Sequence, residues 1–184
     1  HVDAVAHLAF SVFWTAEEKS SGYFKLFLPC FETGDTAVSF LLVRNGSPIK
    51  QLSQLRAKKI GTITGITQLT YLKLVLENLG INPEKDVTII QIAPNLQVQA
   101  LQAGQFDVLF TVDPYGTIAL KNNIATLLQP NPRSKNIVNP FWAAASAISS
   151  KTLKNPEIAK KIYDAMAKAV DFIRTTKEEL SLNL

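Results

Sequence analysis

The sequence has few of the residues that build metal sites and covalent cross-links. Among its 184 residues are one cysteine, Cys30, and two histidines. One cysteine excludes a disulfide within the chain and a cysteine-based zinc site, and two histidines are too few for a histidine-rich metal site. We therefore expect no metal and no cofactor.

Long hydrophobic runs and concentrated positive charge are also absent. No apolar run reaches the roughly 18 residues that a membrane-spanning helix needs, and the run at residues 38–43 has only the length of a strand. The 19 basic residues outnumber the 15 acidic ones, but they are scattered, whereas nucleic-acid binding usually needs a basic stripe. We expect neither a direct membrane span nor a nucleic-acid partner.

A catalytic residue set is missing as well. A serine–histidine–aspartate triad would need one of the two histidines beside a serine, and no Gly-x-x-x-x-Gly-Lys-Ser/Thr phosphate loop occurs. We therefore predict no catalytic residues and no enzyme. Apolar residues make up 47% of the chain and charged ones 18%, a composition that excludes disorder and allows a substantial core.

The most regular part of the chain runs from residue 58 to residue 115. Residues 58–63, 87–92 and 106–112 are short, largely apolar segments that predict strands. Leucines between the first two recur at spacings of three and four, which indicates one face of a helix. These leucines are Leu69, Leu72, Leu76 and Leu79. A shorter helix follows the second strand, so the segment predicts a right-handed, parallel βαβαβ unit.

Several residues mark where the helices begin and end. Gly80 and Gly104 are placed to end the two helices of the βαβαβ unit. Asn95 is placed to cap the start of the second helix. Asn155, followed by Pro156, predicts the start of a long C-terminal helix, whose wide apolar face we expect to be buried.

The flanking segments are less regular but continue the alternation of strands and helices. Predicted strands lie at residues 2–6, 24–28, 37–43 and 141–149, predicted helices at residues 9–19 and 115–122, and a proline-rich loop at residues 129–133. The whole pattern indicates an α/β protein.

The order of motifs along this framework resembles periplasmic solute-binding proteins of ABC importers, in the branch that serves nitrate, sulfonate, taurine and thiamine pyrimidines. The resemblance rests on the order and spacing of several short motifs. They are Ser47-Pro48-Ile49, Thr64-Gly65-Ile66-Thr67, Leu79-Gly80-Ile81, Ala100-Leu101 with Gly104 and Phe106-Asp107, and Asp113-Pro114-Tyr115.

The resemblance implies a periplasmic-binding-protein-like fold of type II, with two α/β lobes and mainly parallel sheets. Residues 1–43 and 142–184 would form the first lobe, which is incomplete because its first strands are expected upstream of residue 1. Residues 44–141 would form the second lobe. The implied partners are a small-molecule ligand and the membrane permease subunits. The implied location is the periplasm or cell envelope, with a possible lipid anchor upstream.

The turn after the first strand of the βαβαβ unit is the main candidate for ligand contact. Such a turn joins the carboxyl end of a parallel strand to a helix N-terminus, where backbone N–H groups lack intrahelical acceptors. Glycine there allows close approach of a ligand. The alternative is an ordinary strand–helix loop capped by threonine. Sulfonate-binding relatives often have serine after this glycine, so the isoleucine here disfavours a sulfonate. The candidate residues are Thr64, Gly65, Ile66, Thr67 and Gln68.

Four further residues are candidates, each with a structural alternative. Asp113 and Tyr115 leave the third strand at the same sheet edge, where ligands of open α/β sheets bind; alternatively, Asp113 caps the next helix. His7 follows the first predicted strand, and Trp142 lies near a crossing between lobes, where it would form an aromatic wall. Packing or surface roles are the alternatives for these two.

We predict a non-catalytic binding protein that captures a small polar ligand, an oxyanion or a heteroaromatic compound, between two lobes. An enzyme of the same fold is the first alternative, similar to thiamine-pyrimidine synthases or menaquinone-pathway dehydratases. Such synthases carry a cysteine-rich iron motif, whereas this chain has only Cys30. The effector-sensing domain of a transcription regulator is the second alternative.

Overall fold

The chain alternates strands and helices in a computed structural model that describes residues 2–35 and 38–176. The strands are β1 (Ala4–Ala9), β2 (Phe24–Glu32), β3 (Ser39–Arg44), β4 (Lys59–Ile63), β5 (Thr88–Ile92), β6 (Val108–Val112), β7 (Ala125–Pro130) and β8 (Phe141–Ser149). The helices are α1 (Phe10–Lys19), α2 (Ile66–Asn78), α3 (Gln97–Gln102), α4 (Tyr115–Lys121), α5 (Pro132–Asn136), α6 (Ser150–Leu153) and α7 (Pro156–Thr175), with 3₁₀ turns at Leu52–Leu55 and Pro94–Leu96. The predicted α/β class is confirmed.

The chain divides into two compact units. The first contains the residues up to Phe31 and those from Trp142 onward, and the second is Glu32–Phe141. The first unit has a three-stranded sheet in the order β1-β8-β2, in which β1 and β8 are antiparallel. The second has a five-stranded sheet in the order β5-β4-β6-β3-β7.

The predicted parallel βαβαβ unit forms the larger part of the second sheet. β4 pairs in parallel with β5 on one side and with β6 on the other. The close packing at its centre needs glycine, because a Cβ on Gly61 would lie 2.7 Å from ring atoms of Phe106. The helices α2 and α3 provide the two crossovers, as the sequence pattern predicts.

Both predicted glycine helix ends are confirmed. Gly80 has φ +72°, and its N–H donates to the Glu77 carbonyl at 2.9 Å while that of Ile81 donates to Leu76 at 2.9 Å. This pair of hydrogen bonds is the Schellman motif. Gly104 ends α3 in the same way.

Of the two predicted asparagine caps, one is wrong and one is confirmed, and the predicted burial of α7 is wrong in part. Asn95 does not cap a helix: the 3₁₀ turn begins after Ala93, because Pro94 occupies its first position. Asn155 does cap α7, since its Oδ1 accepts from the Ile158 N–H at 3.2 Å. However, the apolar face of α7 is not fully buried, because Ile158 and Phe172 are 47% and 59% exposed.

β3 belongs to the second sheet, although the sequence-based division starts the second lobe only at residue 44. It pairs antiparallel with β6 and β7, and Leu42 lies opposite Leu109 and Leu127. The second unit therefore begins at Glu32. Residues 1, 36, 37 and 177–184, which belong to the predicted first lobe, lie outside the described residues.

The core of the second unit covers both faces of its sheet. Along β3, Leu41 and Val43 pack in one cluster with α2, whereas Phe40 and Leu42 pack in another with α3 and α4. This alternation follows from the two-residue period of a strand. It places α2 and α3 on opposite faces of the sheet.

A buried ion pair anchors the start of α5. Arg133 Nε and Nη2 lie 3.0 Å and 2.7 Å from Oε2 of Glu32, and the Ser134 N–H donates to Oε1 at 2.9 Å. The guanidinium also lies 4.9 Å from the centre of the Phe141 ring. Glu32 and Phe141 are the terminal residues of the second unit, so Arg133 holds both of its ends.

Candidate functional site

The carboxyl ends of three parallel strands meet at one edge of the second unit. The register pairs Ile63 of β4 with Ile92 of β5, and Thr62 of β4 with Phe110 of β6. The turns that leave β4 and β6 at this edge contain the predicted site residues 64–68 and 113–115. The structure therefore brings these two groups together on neighbouring strands, where open α/β sheets bind ligands.

The turn after β4 leaves open space above its glycine. Thr64 extends the sheet by one residue, since its N–H donates to the Ile92 carbonyl at 3.0 Å. Gly65 then adopts φ +131°, a conformation that only glycine adopts readily. A Cβ on Gly65 would meet no heavy atom within 4 Å. A ligand can therefore reach the backbone at this point.

The backbone amides of the turn are only partly available. The Gly65 N–H donates to Oε1 of Gln91 at 3.0 Å, which corrects the expectation that the turn amides are unpaired. The Leu69 N–H bonds to the Gly65 carbonyl at 3.2 Å and begins the helical hydrogen-bond series. The amides of Ile66 and Gln68 precede this series and have no acceptor within the helix.

The side chains of the turn differ in their exposure. Thr64 is exposed, and Ile66 is 77% exposed, whereas Thr67 and Gln68 are half-buried. The Oε1 atom of Gln68 is buried and has no hydrogen-bond partner among the described residues. The Gln68 side-chain oxygen is therefore turned away from solvent, while Thr64 and Ile66 are accessible.

Asp113 does contact the helix that follows it. Its Oδ1 accepts from the N–H and the hydroxyl of Thr117, at 3.2 Å and 2.7 Å. Asp113 therefore hydrogen-bonds to the first turn of the next helix, as its alternative role requires. That helix, α4, begins at Tyr115 and not at Pro114. Oδ2 has no hydrogen bond within the described part of the chain, and Tyr115 is half-buried.

Two buried polar atoms near the ends of β4 and β6 lack partners among the described residues. They are Oγ1 of Thr62 and Nε2 of Gln97. The Gln97 Oε1 accepts from the Thr111 hydroxyl at 2.6 Å, which holds the amide in place. Buried groups of this kind are usually completed by an ordered water or a ligand atom.

His7 lies within a strand and does not follow one. β1 extends to Ala9, and its pairing with β8 is irregular between Val5 and Leu8. His7 is exposed at this irregularity. The predicted position after the strand is therefore wrong, because the strand continues through the polar histidine to Ala9.

Trp142 belongs to an aromatic cluster of the first unit. Its ring centre lies 5.3 Å from that of Phe10 and 4.9 Å from that of Phe31, both in edge-to-face arrangements. Such pairs stabilise by about 0.5–1.5 kcal/mol beyond their burial. Trp142 is nevertheless 53% exposed, so it presents an aromatic surface held in place by its neighbours.

Gln91 is a site residue that the sequence analysis missed. Its side chain reaches across from β5 to the Gly65 amide, 26 residues earlier in the chain. A signal was present, because Gln91 is the one polar residue in the apolar run 89–92 of the printed sequence. Because β5 is an edge strand without a fully buried residue, a polar side chain at this position can reach the turn that leaves β4.

Metal-binding clusters and membrane-spanning helices are both absent from the described ranges. Residues 2–35 and 38–176 contain no group of three His, Cys, Asp or Glu side chains able to hold a metal ion. Within the same ranges, no helix combines the length and the apolar character needed to cross a bilayer.

Comparison with known proteins gives one family match and many structural neighbours. A family model described as the NMT1-like family matches residues 41–181. No curated protein matches the chain by sequence.

The structural neighbours share the fold at low sequence identity. The periplasmic aliphatic sulphonate binding protein SsuA of Escherichia coli is 18% identical, with a TM-score of 0.74, over 97% of this chain and 58% of that one. The alkanesulfonate-binding protein SsuA of Xanthomonas axonopodis pv. citri, bound to MOPS, is 17% identical, with a TM-score of 0.71, over 97% and 58%. The desulfurization enzyme DSZB is 14% identical, with a TM-score of 0.67, over 94% and 63%.

The comparisons confirm the fold that the motifs predicted. Identities this low establish the fold alone, which is that of the periplasmic binding proteins. The chain spans 58% of the length of each sulfonate-binding neighbour.

Proposed function

Because the chain belongs to the NMT1-like family, we propose that it is part of the solute-binding component of an ABC importer. This component captures a small polar ligand, does not change it chemically, and delivers it to membrane permease subunits. The location is the periplasm or the cell envelope. The fold shared with two sulfonate-binding proteins supports this proposal.

The open helix N-terminus at Gly65 is the observation that carries the proposal. The amides of Ile66 and Gln68 have no intrahelical acceptor, and no heavy atom would meet a Cβ on Gly65 within 4 Å. Amides and helix dipole together favour an acceptor or an anionic group at this point. A ligand oxygen placed above Gly65 would accept hydrogen bonds from these amides.

Neighbouring groups would complete the ligand contacts. The Thr64 hydroxyl is exposed beside the turn, and Oδ2 of Asp113 offers an acceptor for a ligand N–H or O–H. Tyr115 would contribute its ring. His7 and Trp142 of the first unit stay proposed ligand contacts, and the ligand stabilises the form of the protein for which it has the higher affinity.

The ligand is a small compound with an acceptor group, either an oxyanion or a heteroaromatic compound. The two sulfonate-binding neighbours support an oxyanion. The exposed Ile66 supports a partly apolar ligand, because its side chain offers the ligand no hydrogen bond. We therefore propose that an apolar part of the ligand lies against Ile66 and that its acceptor group lies above Gly65.

The test is calorimetric titration of the full natural protein that carries these residues. The panel contains nitrate, taurine, longer alkanesulfonates and thiamine pyrimidines, with sodium chloride as the control at equal ionic strength. We expect saturable binding of at least one compound. Saturable binding of none would contradict the proposal.

A same-fold enzyme is the second candidate, because the neighbour DSZB is a desulfurization enzyme. The two functions differ in the fate of the ligand. Mass spectrometry of a bound compound after prolonged incubation would show an unchanged mass for a binding protein. A new product that forms in proportion to protein concentration would favour the enzyme.

A further inference from the structure

A second pocket lies at the opposite edge of the same sheet, where β4 and β6 begin and β3 ends. The register pairs Val43 of β3 and Ile60 of β4 with Val108 of β6, so these three strand ends converge. The cavity has a volume of about 280 Å³. We name it the basic pocket and define it by Arg44, Ser47, Lys58, Gly104, Phe106 and Asp107.

Positive charge in the basic pocket is not neutralised by ion pairs. Within the described residues, neither Arg44 nor Lys58 lies within salt-bridge distance of an acidic group, whereas Arg56 and Lys73 in the same unit pair with Asp86 and Glu84. The one acidic residue of the pocket is Asp107, whose Oδ2 accepts from the Lys59 N–H at 2.8 Å. The lining therefore carries two positive charges and one negative charge.

The guanidinium of Arg44 lies close to the backbone at the end of α3. Gly104 has φ +72°, and a Cβ there would lie 3.1 Å from Nη1 of Arg44 and 3.9 Å from its Cζ. Glycine thus permits the guanidinium to lie close to the chain.

Ser47 adds a neutral donor to the two cations. The residue is 9% exposed, and its Oγ accepts from the Ile49 N–H at 3.2 Å. That hydrogen bond fixes the oxygen and leaves the hydroxyl hydrogen without an acceptor among the described residues. The buried Phe106 lies beside these polar groups and gives the pocket an apolar wall.

We propose that the basic pocket binds a small oxyanion, a carboxylate or a phosphate. Arginine recognises both through paired N–H donors, lysine adds a point charge, and the serine hydroxyl adds a hydrogen bond. The pocket is separate from the Gly65 turn, because the five residues of β4 span roughly 16 Å between the two edges. An anion here is therefore a second ligand, distinct from the transported one.

The test follows backbone amide signals by NMR during titration of the ¹⁵N-labelled full natural protein that carries these residues. The probes are inorganic phosphate and malonate, each at constant ionic strength with sodium chloride. We expect saturable shifts at Ser47, Ile49 and Gly104. Arg44→Gln and Lys58→Gln should each raise Kd about tenfold, as expected for one hydrogen bond to a charged group. Lys85→Gln, which removes an exposed charge elsewhere on the unit, should leave Kd unchanged.

Each outcome of this titration decides between named alternatives. Shifts that grow linearly without saturation, or an equal Kd in Arg44→Gln and Lys85→Gln, would overturn the proposal, with the spectra of the variants showing whether each is folded. Shifts confined to residues 64–68 would also overturn it and would assign the anion to the turn. Because the two sites have different reporter amides, failure of one is distinguishable from failure of the other.

Discussion

The Gly65 N–H donates a hydrogen bond to the side-chain Oε1 of Gln91, over a distance of 3.0 Å. This bond ties the end of β5 to the turn that opens α2. It occupies the first amide of the turn and holds the backbone so that the following amides, those of Ile66 and Gln68, begin the helix without intrahelical acceptors. Gln91 is therefore a positioning residue of the proposed ligand site.

Changing Gln91→Glu should distinguish the two proposed ligand classes. A carboxylate has nearly the same shape and still accepts from Gly65, but it adds a negative charge beside the helix N-terminus. We expect the affinity for an oxyanion to fall about tenfold, since two like charges roughly 4 Å apart near a protein surface repel by about 1–4 kcal/mol. The affinity for an uncharged heteroaromatic ligand should change little.

Calorimetry with the ligand identified in the panel measures this effect. Gln102→Glu, an exposed change on α3, is the matched control for added negative charge. Equal effects of the two substitutions on oxyanion affinity would show that Gln91 has no special place at the site.

The buried pair of Arg133 and Glu32 should be a large contributor to the stability of the second unit. Arg133→Met leaves the carboxylate of Glu32 buried without its partner. We expect the free energy of unfolding of this unit to fall by about 3–5 kcal/mol. Adding Glu32→Gln should recover part of the loss, because no unpaired charge then remains. Urea unfolding followed by far-ultraviolet circular dichroism measures the unfolding free energies of both variants.

An exposed pair provides the comparison for this prediction. Lys73→Met removes the partner of Glu84, whose side chain is 69% exposed, and such pairs contribute at most about 1 kcal/mol. If Arg133→Met were no more destabilising than Lys73→Met, the buried pair would not anchor the unit in the way described.

Tyr71 should reduce the stability of the second unit at alkaline pH. Burial raises the pKa of its hydroxyl above 10.0, and the charge of Arg133 opposes this in part. Folded Tyr71 therefore keeps its proton to higher pH than the unfolded chain does. Its contribution to stability is fully present below about pH 10 and is lost as pH rises through the folded pKa.

Replacing Tyr71 with phenylalanine removes this titration. We expect the unfolding free energy of Tyr71→Phe to fall less steeply than that of the unaltered chain above about pH 10. Urea titrations at a series of pH values give the two slopes. Parallel pH dependences for the two proteins would contradict the assigned effect of burial.

Local signals in the sequence predicted the parts of the fold that depend on near neighbours. Gly80 and Gly104 end helices through hydrogen bonds that reach back only five residues, so a glycine after an apolar stripe suffices to predict them. The βαβαβ unit follows in the same way from strand and helix patterns next to one another in the chain.

Features that depend on distant partners were not predictable in this way. β3 joins the second sheet by pairing with strands more than 60 residues further along, and no local pattern marks this choice. Pro130 suggested a loop, yet β7 extends to it, because β7 is an edge strand and proline is tolerated at sheet edges. The Gln91 contact likewise crosses from one strand to the next turn.

In the proposed site, too, the sequence predicted the arrangement of the strands but not the contacts between distant side chains. The sequence correctly indicated that the turns after β4 and β6 share an edge, because parallel strands place their carboxyl ends together. It did not indicate that Gln91 occupies the Gly65 amide, or that Asp113 uses one oxygen to hold Thr117. Both contacts depend on side-chain conformations that the spacing of residues does not determine.

The central claim, that the open space above Gly65 receives the ligand, is tested most directly by comparing Gly65→Ala with Gly46→Ala. Both glycines have positive φ, +131° at Gly65 and +77° at Gly46, and a Cβ at either would meet no heavy atom within 4 Å. The backbone of Gly65 lies in a region that is essentially restricted to glycine, so Gly65→Ala is expected to lose more stability than Gly46→Ala. We measure Kd of the panel ligand by calorimetry under conditions in which urea unfolding shows both variants to be fully folded. The account predicts at least about a tenfold weaker Kd for Gly65→Ala and an unchanged Kd for Gly46→Ala. Equal ligand affinity in the two variants would contradict it.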